Sequence, residues 1–421
     1  MHALRRIKTS TSDLVPALAL IARTLARAAL AGLRVLVDRL MRRKRRLRLA
    51  VDIRPFYEPL TGVGWYLYHL LHEIAKYDDV DLFLFGDARL TDQGPRLHAD
   101  LPPRAVLCTF DLRGRPLPPF SRPLTAAAYV IWMQLLRCDL FFGANYFLPR
   151  LMSAAARRRV VTVHDLTYKR FPGLLQRETL DNLEKQMLRE MALADAVISV
   201  SEATRRDLLA SYSIDPRRIV TIHSGIAPPP AGAEPERSLP PRYILFVSTI
   251  EPRKNLPVLL DAFERLKARG EYDGSLVVVG KIGWKSEGVV ARMRTSRWSD
   301  EIRHLDYLDA AELSTVYQRA EMFVFPSIYE GFGFPLLEAM RHSVPTIAAL
   351  TSSLPEVGGD ATLYFSPTSA AELATAIDRI ARDPALRSSL ARKGRARADM
   401  FQWSRTAELT MALFRRVAGM S

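Results

Sequence analysis

The stretch of sequence that decides the fold is MFVFPSIYEGFGFPLLEAMR, residues 322–341. It opens with four apolar residues that predict a buried strand, and Pro335 stands where a helix commonly has its first residue. Gly331 and Gly333 lie in the loop between them and let the backbone approach a ligand closely. Amides at the start of the helix would then offer a binding site for an anion such as a pyrophosphate.

Two carboxylates bracket this predicted anion site, with Glu330 in the loop and Glu338 one turn into the helix. Alone they would repel an anion, so they need another role, and accepting hydrogen bonds from sugar hydroxyls is the natural one. Two structural alternatives stay open, because Glu338 would also favour the helix dipole and Glu330 could cap the helix.

Short apolar strands and amphipathic helices alternate on both sides of this stretch. Such alternation is typical of a parallel sheet covered by helices on both faces. Predicted strands cover residues 47–53, 81–85, 160–163, 196–200, 219–222, 243–247, 275–279, 304–307, 322–325 and 346–348. Predicted helices cover residues 64–76, 175–194, 202–211, 256–269, 288–296, 310–319, 335–341, 370–382 and 406–417.

Residues 228–241 divide the pattern into two similar halves. Six of these fourteen residues are prolines, a composition that cannot continue a helix or a central strand. We therefore predict an α/β protein whose body consists of two similar halves joined by a linker. The length of 421 residues agrees with two to three domains of roughly 150 residues each.

The composition is that of a globular protein, with 48% hydrophobic and 25% charged residues. The net charge is +15, and residues 1–48 carry +11 of it, so the body of the chain is nearly neutral. This asymmetry weakens the case that the whole protein binds nucleic acid. The two cysteines, Cys108 and Cys138, allow at most one disulfide and favour a reducing compartment.

Residues 1–48 form a basic leader with a predicted amphipathic helix at about 16–40, followed by the basic run 42–48. It contains no run of the roughly 20 apolar residues that span a bilayer. An amphipathic helix beside a polybasic run is suited to the surface of an anionic membrane. The alternatives are a solvated helix packed on its own domain, a cleaved targeting segment, or a wrongly assigned start of the protein.

The glutamates at 330 and 338, around Gly331-Phe332-Gly333 and Pro335, resemble the paired-glutamate signature of retaining glycosyltransferases of the GT-B fold, specifically the large family 4. The similarity extends from about residue 49 to 418. Further motifs at family-like spacing lie at residues 61–64, 163–165, 200–201, 224–225, 252–255 and 354–356.

This resemblance implies roles for individual residues. Glu330 would face the donor sugar and stabilise charge at the reacting carbon, with His164 near the same sugar, and Glu338 would hold the nucleotide ribose. Lys254 and Arg253 match the basic pair that neutralises the leaving nucleoside diphosphate. Preorganised cations lower the barrier for a reaction that expels a phosphate with growing negative charge.

The glycines at 62 and 64 match the loop that approaches the diphosphate from the other domain, and Gly331, Phe332 and Gly333 match the donor-binding loop. No metal or cofactor is expected beyond the nucleotide diphosphate sugar as co-substrate. The Asp-x-Asp pair, Asp79 and Asp81, opens a strand and is interpreted as a solvated turn.

The resemblance also implies an α/β fold of two Rossmann-like domains that face each other across a cleft, and with it the division of the chain. We expect a leader at 1–48, an acceptor domain at 49–227, a linker at 228–241, a nucleotide-sugar domain at 242–400 and a C-terminal helix at 401–421 that crosses back to the first domain.

The sequence departs from the family pattern at Thr249, where many members carry arginine; here the arginine is Arg253, directly beside Lys254. Among other residues, Phe332 could stack on a base and Trp284 could line a sugar site. His69 and His72 have metal-ligand spacing on a predicted helix, but no third ligand accompanies them.

The leading hypothesis is a metal-independent transferase that moves a hexose, with mannose favoured by the Pro-Arg-Lys-Asn motif, to a saccharide or lipid-linked acceptor with retention. The resemblance favours bacterial cell-surface polysaccharide assembly, with the enzyme in the cytoplasm or on the inner face of the membrane. A nucleic acid partner is not expected.

Two alternatives come from other classes of protein. Gly62-Val63-Gly64 after a strand, with Asp81 about twenty residues on, is compatible with an NAD-dependent dehydrogenase, but Leu67 occupies the third glycine position. The basic leader on an inert body is compatible with a non-enzymatic nucleic-acid binder.

Overall fold

The computed structural model describes residues 45–420 except for 58, 87–89, 92–93, 96, 109–129, 132–133, 146–155 and 175–176. The predicted amphipathic helix of the leader therefore lies outside the described residues, and so does its expected contact with a membrane. Among the described residues, no helix is both long and apolar enough to cross a bilayer.

The first half of the chain forms a parallel sheet of buried strands. In chain order the strands are β1 (Leu47–Asp52), β2 (Val80–Phe85), β3 (Val106–Cys108), β4 (Leu140–Gly143), β5 (Arg158–Val163), β6 (Ala196–Ser199) and β7 (Ile219–Thr221). Their order across the sheet is β3-β2-β1-β4-β5-β6-β7, with every pairing parallel. The reversal between β1 and β4 makes this a doubly wound sheet, whose ligands bind at the carboxyl ends of the strands.

The second half repeats the same architecture. Its strands are β8 (Tyr243–Val247), β9 (Ser275–Val279), β10 (Ile302–Leu305), β11 (Met322–Phe325), β12 (Thr346–Ala349) and β13 (Thr362–Phe365). They are ordered β10-β9-β8-β11-β12-β13, again all parallel. The switch point here lies between β8 and β11, so the loops that follow these two strands are neighbours.

Helices cover the sheets. The helices of the first half are α1 (Gly62–Ile74), α2 (Thr167–Arg170), α3 (Arg177–Leu193) and α4 (Glu202–Ser211). Those of the second half are α5 (Leu256–Ala268), α6 (Glu287–Thr295), α7 (Ala310–Arg319), α8 (Phe334–Arg341), α9 (Leu354–Gly358), α10 (Ala370–Arg382), α11 (Pro384–Asp399) and α12 (Trp403–Val417).

The sequence analysis missed several elements, among them the strands β3, β4 and β13 and the helices α2, α9 and α11. Strand β4 is four buried residues that include Phe141 and Phe142, a run too short for its periodicity to separate a strand from a helix. Helix α1 also begins at Gly62 rather than Gly64, so both glycines are in its first turn and not in a preceding loop.

The last helix, α12, packs on the first half of the chain. Phe414 is fully buried and its ring centroid lies 5.1 Å from that of Phe142 on β4. Trp403 and Met411 belong to the same buried cluster, together with Leu70 of α1. Each such side chain contributes about 1.5–3 kcal/mol when fully buried, so α12 holds the two halves of the chain together.

Candidate active site

The loop after β8 places two cations beside the loop after β11. Pro252–Lys254 forms a single turn of 3-10 helix, and Asn255 ends it in the left-handed conformation with φ +54°. Its side-chain Nδ2 donates to the carbonyl oxygens of Pro326 at 3.1 Å and Pro367 at 2.8 Å. The amide of Ile328 also donates to the Arg253 carbonyl at 2.9 Å. These bonds fix the two loops against each other.

Glu330 accepts an ion pair on each of its two oxygens. Lys254 Nζ lies 2.6 Å from Oε1, and Arg253 Nη1 lies 2.9 Å from Oε2. Both Glu330 and Lys254 are 8% exposed, so the interaction is shielded from water. Burial by itself would raise the pKa of Glu330, but Lys254 and Arg253 outweigh it and hold that pKa below its ordinary value. Glu330 is therefore a buried carboxylate that stays ionised at neutral pH.

The peptide groups around Glu330 are held by the loop after β12. The Glu330 amide donates to Ser352 Oγ at 2.8 Å. Ser353 Oγ lies within hydrogen-bond distance of two carbonyl oxygens, that of Glu330 at 3.0 Å and that of Phe332 at 2.8 Å. The carboxylate is thus oriented by its backbone as well as by its ion pairs, and it does not cap α8, whose N-cap is Gly333.

Glu338 lies on α8 in different surroundings. Its Oε2 accepts a hydrogen bond from the hydroxyl of Tyr317 on α7 at 3.0 Å. Burial raises the pKa of Glu338, and the Tyr317 hydroxyl offsets this only in part. His342 stacks on the Tyr317 ring with centroids 5.0 Å apart and contacts the Glu338 carbonyl through Nδ1 at 2.8 Å. Glu338 is a half-buried carboxyl that binds protons more readily than Glu330 does.

The glycine loop before α8 lies directly against the first half of the chain. A Cβ at Gly331 would lie 1.8 Å from the His164 carbonyl oxygen, so any residue other than glycine would clash there. The Gly331 carbonyl in turn accepts from Ser201 Oγ at 2.6 Å and Thr204 Oγ1 at 3.3 Å. Gly333 has φ +109°, which also requires glycine. Both glycines are therefore fixed by geometry, one by a close approach and one by its backbone.

His164 follows β5 in the first half of the chain, and its backbone lies directly against Gly331 of the second half. Its Nε2 lies 2.7 Å from the Ala144 carbonyl oxygen, which can only accept, so this nitrogen carries a hydrogen. The ring also meets the Tyr66 ring edge-on at 4.9 Å. Burial lowers the pKa of His164, so the imidazole is neutral at pH 7.

The two glycines of α1 differ in their surroundings. A Cβ at Gly64 would lie 2.9 Å from Leu60 Cδ2, whereas a Cβ at Gly62 would meet nothing within 4 Å. Tyr66, two residues further on, contacts the His164 ring. The first turn of α1 therefore lies beside the histidine, with open space at Gly62.

Tyr329, which the sequence analysis did not single out, reaches from the second half of the chain into the first. Its hydroxyl accepts from the Leu166 amide at 3.0 Å and donates to Asp207 Oδ2 at 2.8 Å. Asp207 is also paired with Arg170. The only sequence signal was its position next to Glu330.

Glu356, part of a motif that the sequence analysis quoted without a role, joins the halves at a second place. Its oxygens accept from the amides of Glu202 at 2.8 Å and Ala203 at 3.2 Å, in the first turn of α4. His223 Nε2 lies 2.5 Å from Glu356 Oε1. Burial would raise the pKa of Glu356, but His223 and these amides lower it. A carboxylate from one half thus caps a helix of the other.

Several candidate residues have side chains that are engaged elsewhere. Phe332 is 5% exposed and its ring packs against Phe334 and Phe401, so it is not offered to a base. Asp79 lies in the turn that precedes β2, and Asp79 and Asp81 are partly exposed carboxylates that are each engaged in an ion pair. These pairs are Asp79 with Arg415 at 2.9 Å and Asp81 with Arg46 at 2.8 Å.

His69 and His72, the candidate metal pair, are engaged in aromatic contacts. His69 stacks between Trp65 and Trp403, with centroid distances of 5.8 and 5.2 Å. His72 Nδ1 lies 2.8 Å from the Tyr68 carbonyl oxygen. Within the part of the chain that the structure describes, no group of three or more His, Cys, Asp or Glu residues could hold a metal ion.

The site is therefore a pair of cations, an ionised carboxylate and a neutral imidazole between two doubly wound sheets, at the switch point of the second sheet. Cations and the amides of a helix N-terminus favour an anionic ligand, and a carboxylate favours hydroxyl groups. This combination can bind a molecule that carries both a phosphate and a sugar.

Comparison with known proteins agrees with this chemistry. The family described as "Glycosyltransferase Family 4" matches residues 60–228, and that described as "Glycosyl transferases group 1" matches residues 233–397. The chain is 28% identical over 384 residues to the O-antigen chain mannosyltransferase B of Escherichia coli, covering 88% of this chain and 100% of that protein. It is 26% identical over 417 residues to a D-inositol 3-phosphate glycosyltransferase of Streptomyces bingchenggensis, covering 89% and 90%.

Solved structures show the same fold. Sucrose-phosphate synthase from Thermosynechococcus elongatus superposes with a TM-score of 0.65 at 22% identity, covering 89% of this chain and 100% of that one. WaaG, a glycosyltransferase involved in lipopolysaccharide biosynthesis, superposes with a TM-score of 0.60 at 16% identity, covering 88% and 100%. The chain has the GT-B fold and belongs to glycosyltransferase family 4. These comparisons support neither a dehydrogenase nor a nucleic-acid binder.

Proposed function

We propose that this glycosyltransferase moves a hexose from a nucleotide diphosphate sugar to a saccharide or lipid-linked acceptor, with retention at the anomeric carbon. The observation that carries the proposal is the buried Glu330, held between Lys254 at 2.6 Å and Arg253 at 2.9 Å. A diphosphate leaving group needs cations of this kind, and a sugar needs a carboxylate beside them.

The two cations and the carboxylate would have different roles in the reaction. Lys254 and Arg253 both lie within hydrogen-bond distance of Glu330. The diphosphate of a bound donor is also an anion, so it would compete with Glu330 for these two cations. The cations then neutralise the charge that grows on the phosphate as the glycosidic C–O bond breaks. The released Glu330 carboxylate faces the anomeric carbon and stabilises the positive charge that develops there.

The remaining site residues position the donor. His164, whose Nε2 hydrogen is donated to the Ala144 carbonyl, would lie near the sugar as a neutral acceptor, since burial lowers its pKa. Glu338 bonds the ribose hydroxyls, and the loop from Gly331 to Gly333, including the Phe332 backbone, approaches the donor closely. Gly62 and Gly64 bring amides at the start of α1 towards the diphosphate from the other side.

Mannose is the proposed sugar, and assembly of a cell-surface polysaccharide is the proposed pathway. The support is the likeness to an O-antigen chain mannosyltransferase over the full length of that relative. Residues 49–227 would hold the acceptor and residues 242–400 the donor, joined by the linker 228–241, with residues 401–421 crossing back. Two cations at the leaving group make a metal unnecessary, so transfer is expected to continue in EDTA.

We further place the enzyme in the cytoplasm, on the inner face of the membrane, where the basic residues of 1–48 attract anionic lipids. Deletion of residues 1–45 should leave donor hydrolysis intact and reduce binding to vesicles that contain anionic phospholipid, most at low salt. Equal vesicle binding by the truncated protein would contradict this placement.

The function is tested with a panel of GDP- and UDP-sugars in the presence of EDTA, measuring thermal shift and slow donor hydrolysis. One donor should stabilise the protein and be hydrolysed, and NMR of the first-formed sugar should show the anomeric configuration of the donor. Inversion at the anomeric carbon would contradict the mechanism. The absence of any response to the panel, with acceptor lipids and saccharides added, would contradict the function.

A further inference from the structure

Glu251, the residue just before the Pro252–Lys254 turn, uses both carboxylate oxygens within the candidate active site. Its Oε1 accepts from Arg253 Nη2 at 2.8 Å and from Arg253 Nε at 3.1 Å. Its Oε2 accepts from the indole Nε1 of Trp284 at 3.1 Å. The side chains of Glu251 and Arg253 are 15% and 17% exposed, so their contact is made largely out of water, whereas the bond to Trp284 lies at the surface.

The contact with Glu251 decides which edge of the Arg253 guanidinium faces the donor site. A guanidinium is planar and its donors have fixed directions. With Nε and Nη2 held by Glu251, Nη1 is directed to Glu330 Oε2 at 2.9 Å and to the Tyr329 carbonyl at 2.9 Å. Without Glu251 the side chain could rotate about its long stem, and Nη1 would lose this direction.

Trp284, in turn, belongs to a loop that is fastened to the loop of Glu251. Ile250 and Ile282 form an isolated parallel bridge, in which the Ile250 amide donates to the Lys281 carbonyl at 2.9 Å. The Gly283 amide donates to the Ile250 carbonyl at 2.9 Å, and a Cβ at Gly283 would lie 2.8 Å from that oxygen. These backbone bonds hold the loop of Trp284 against the loop of Glu251, so the indole N–H stays beside the Glu251 carboxylate.

If the site binds a diphosphate, the negative charge of Glu251 disfavours that binding. A carboxylate near a phosphate repels it and cancels part of the positive charge of Arg253. We propose that Glu251 is a positioning residue, which acts on donor binding and transfer through Arg253 and is itself held by Trp284. This inference rests on the proposed function, because the donor diphosphate is the ligand that Arg253 would contact.

Three substitutions distinguish the effect of Glu251 on the position of the Arg253 side chain from the effect of its negative charge. Glu251→Ala removes the acceptor for Arg253. Glu251→Gln keeps an amide oxygen as acceptor for Arg253 but removes the negative charge and places an NH₂ group opposite the indole N–H, so it loses the charge and the bond to Trp284. Trp284→Phe loses that same bond and keeps an aromatic ring, which makes it the matched control for the glutamine variant. Thermal melts verify that each variant folds.

The measurements are kcat and KM for donor hydrolysis and calorimetric binding of UDP and GDP. We expect Glu251→Ala to lower kcat/KM and to weaken binding of the preferred nucleoside diphosphate by about tenfold, a loss typical of a charged hydrogen bond. Glu251→Gln and Trp284→Phe should each stay within about threefold of the wild type. In a protein that already carries Arg253→Ala, adding Glu251→Ala should change binding by less than about twofold, since its effect passes through Arg253.

The inference is overturned if Glu251→Ala behaves as the wild type, if the glutamine variant is as impaired as the alanine variant, or if the effects of Glu251→Ala and Arg253→Ala add. In each of those cases the wild type still binds and hydrolyses its donor, and the proposed function stands. A wild type that binds neither UDP nor GDP and hydrolyses no nucleotide sugar would overturn the proposed function and this inference together.

Discussion

Two glutamates eight residues apart in the same loop and helix have opposite electrostatic surroundings. Glu330 is bound by Lys254 and Arg253, and its pKa is lowered despite burial. Glu338 has the neutral hydroxyl of Tyr317 at 3.0 Å, and burial raises its pKa. The difference teaches that the spacing identifies the pair, while partners from elsewhere in the chain decide what each member does.

The origin of these partners explains why the roles differ. Lys254 lies 76 positions before Glu330 and reaches it because β8 and β11 are neighbours in the sheet. Tyr317 lies on the helix before β11, 21 positions before Glu338. A carboxylate held by cations is a charged group that can meet a developing positive charge, whereas one held by a hydroxyl is suited to bonding other hydroxyls.

The largest expected effect is on activity. Glu330→Gln should lower kcat for transfer by about 100-fold or more, because the charge beside the anomeric carbon is lost. Glu338→Gln should raise KM for the donor about tenfold and change kcat little, because it removes a binding contact. Steady-state kinetics on both variants checks this, with circular dichroism as the control for folding. Equal losses in kcat would remove the distinction between the two residues.

The second effect is on the contact between the halves of the chain at the Glu330 loop. Gly331→Ala would put a Cβ 1.8 Å from the His164 carbonyl oxygen, so the loop must move and Glu330 with it. We expect a loss of activity of about tenfold or more and a melting temperature lower by several degrees. Gly62→Ala is the matched control, because nothing lies within 4 Å of its Cβ, and its melting temperature should be unchanged. Similar melting temperatures for both variants would contradict the close contact.

The third effect is the pH dependence of stability. Since the folded pKa of Glu338 is raised, its ionised form is penalised in the folded state, and stability is lost as pH rises through that pKa. Glu338→Gln should therefore raise the melting temperature at pH 7, by an amount that shrinks at pH values below the ordinary pKa of glutamate. Glu330 has a lowered pKa, so Glu330→Gln should destabilise at pH 7, by an amount that shrinks as pH falls through that pKa. Thermal melts at pH 4 to 8 measure the sign of the change in melting temperature for each variant. The same sign for both variants would contradict the opposite pKa shifts of Glu330 and Glu338.

The smallest expected effect concerns Glu356, a third carboxylate, whose pKa is lowered by His223 and by two backbone amides of α4 despite burial. Glu356→Ala removes the acceptor for two amides of α4 and for His223, so we expect a loss of about 1–2 kcal/mol in the free energy of unfolding. Denaturant unfolding measures it. The control is Glu73→Ala, which breaks only the exposed pair with Lys76 and should cost less than about 0.5 kcal/mol. Equal losses would show that Glu356 does not join the halves.

The sequence was sufficient for the fold class and for the loop that carries Glu330. The apolar strand, the glycines and Pro335 specify that loop locally, and β11 and α8 lie close to where the pattern predicts them. The strand β4 was missed because its four buried residues have no polar alternation, and two buried phenylalanines fit a helix as well as a strand. Local pattern thus predicts elements whose ends are marked and misses short elements that are buried throughout.

The contacts of the site could not be predicted in the same way. Tyr329 is followed by Glu330 in the chain, yet its hydroxyl is bonded to Asp207, 122 positions earlier. Glu251 looked like an ordinary loop residue until the structure placed Trp284 and Arg253 on its two oxygens. Such roles depend on which loops meet at the ends of the strands, and the spacing of residues along the chain does not contain that information.

The most direct test of the central claim is to measure the two pKa values. Protein labelled with ¹³C at the glutamate side-chain carboxyl is titrated by NMR, and the signals lost in Glu330→Gln and in Glu338→Gln assign the two residues. The carboxyl of Glu330 should titrate below the range of free glutamate and that of Glu338 above it. Two carboxyls that titrate together, or in the reverse order, would contradict the account that Lys254 and Arg253 keep Glu330 ionised for transfer.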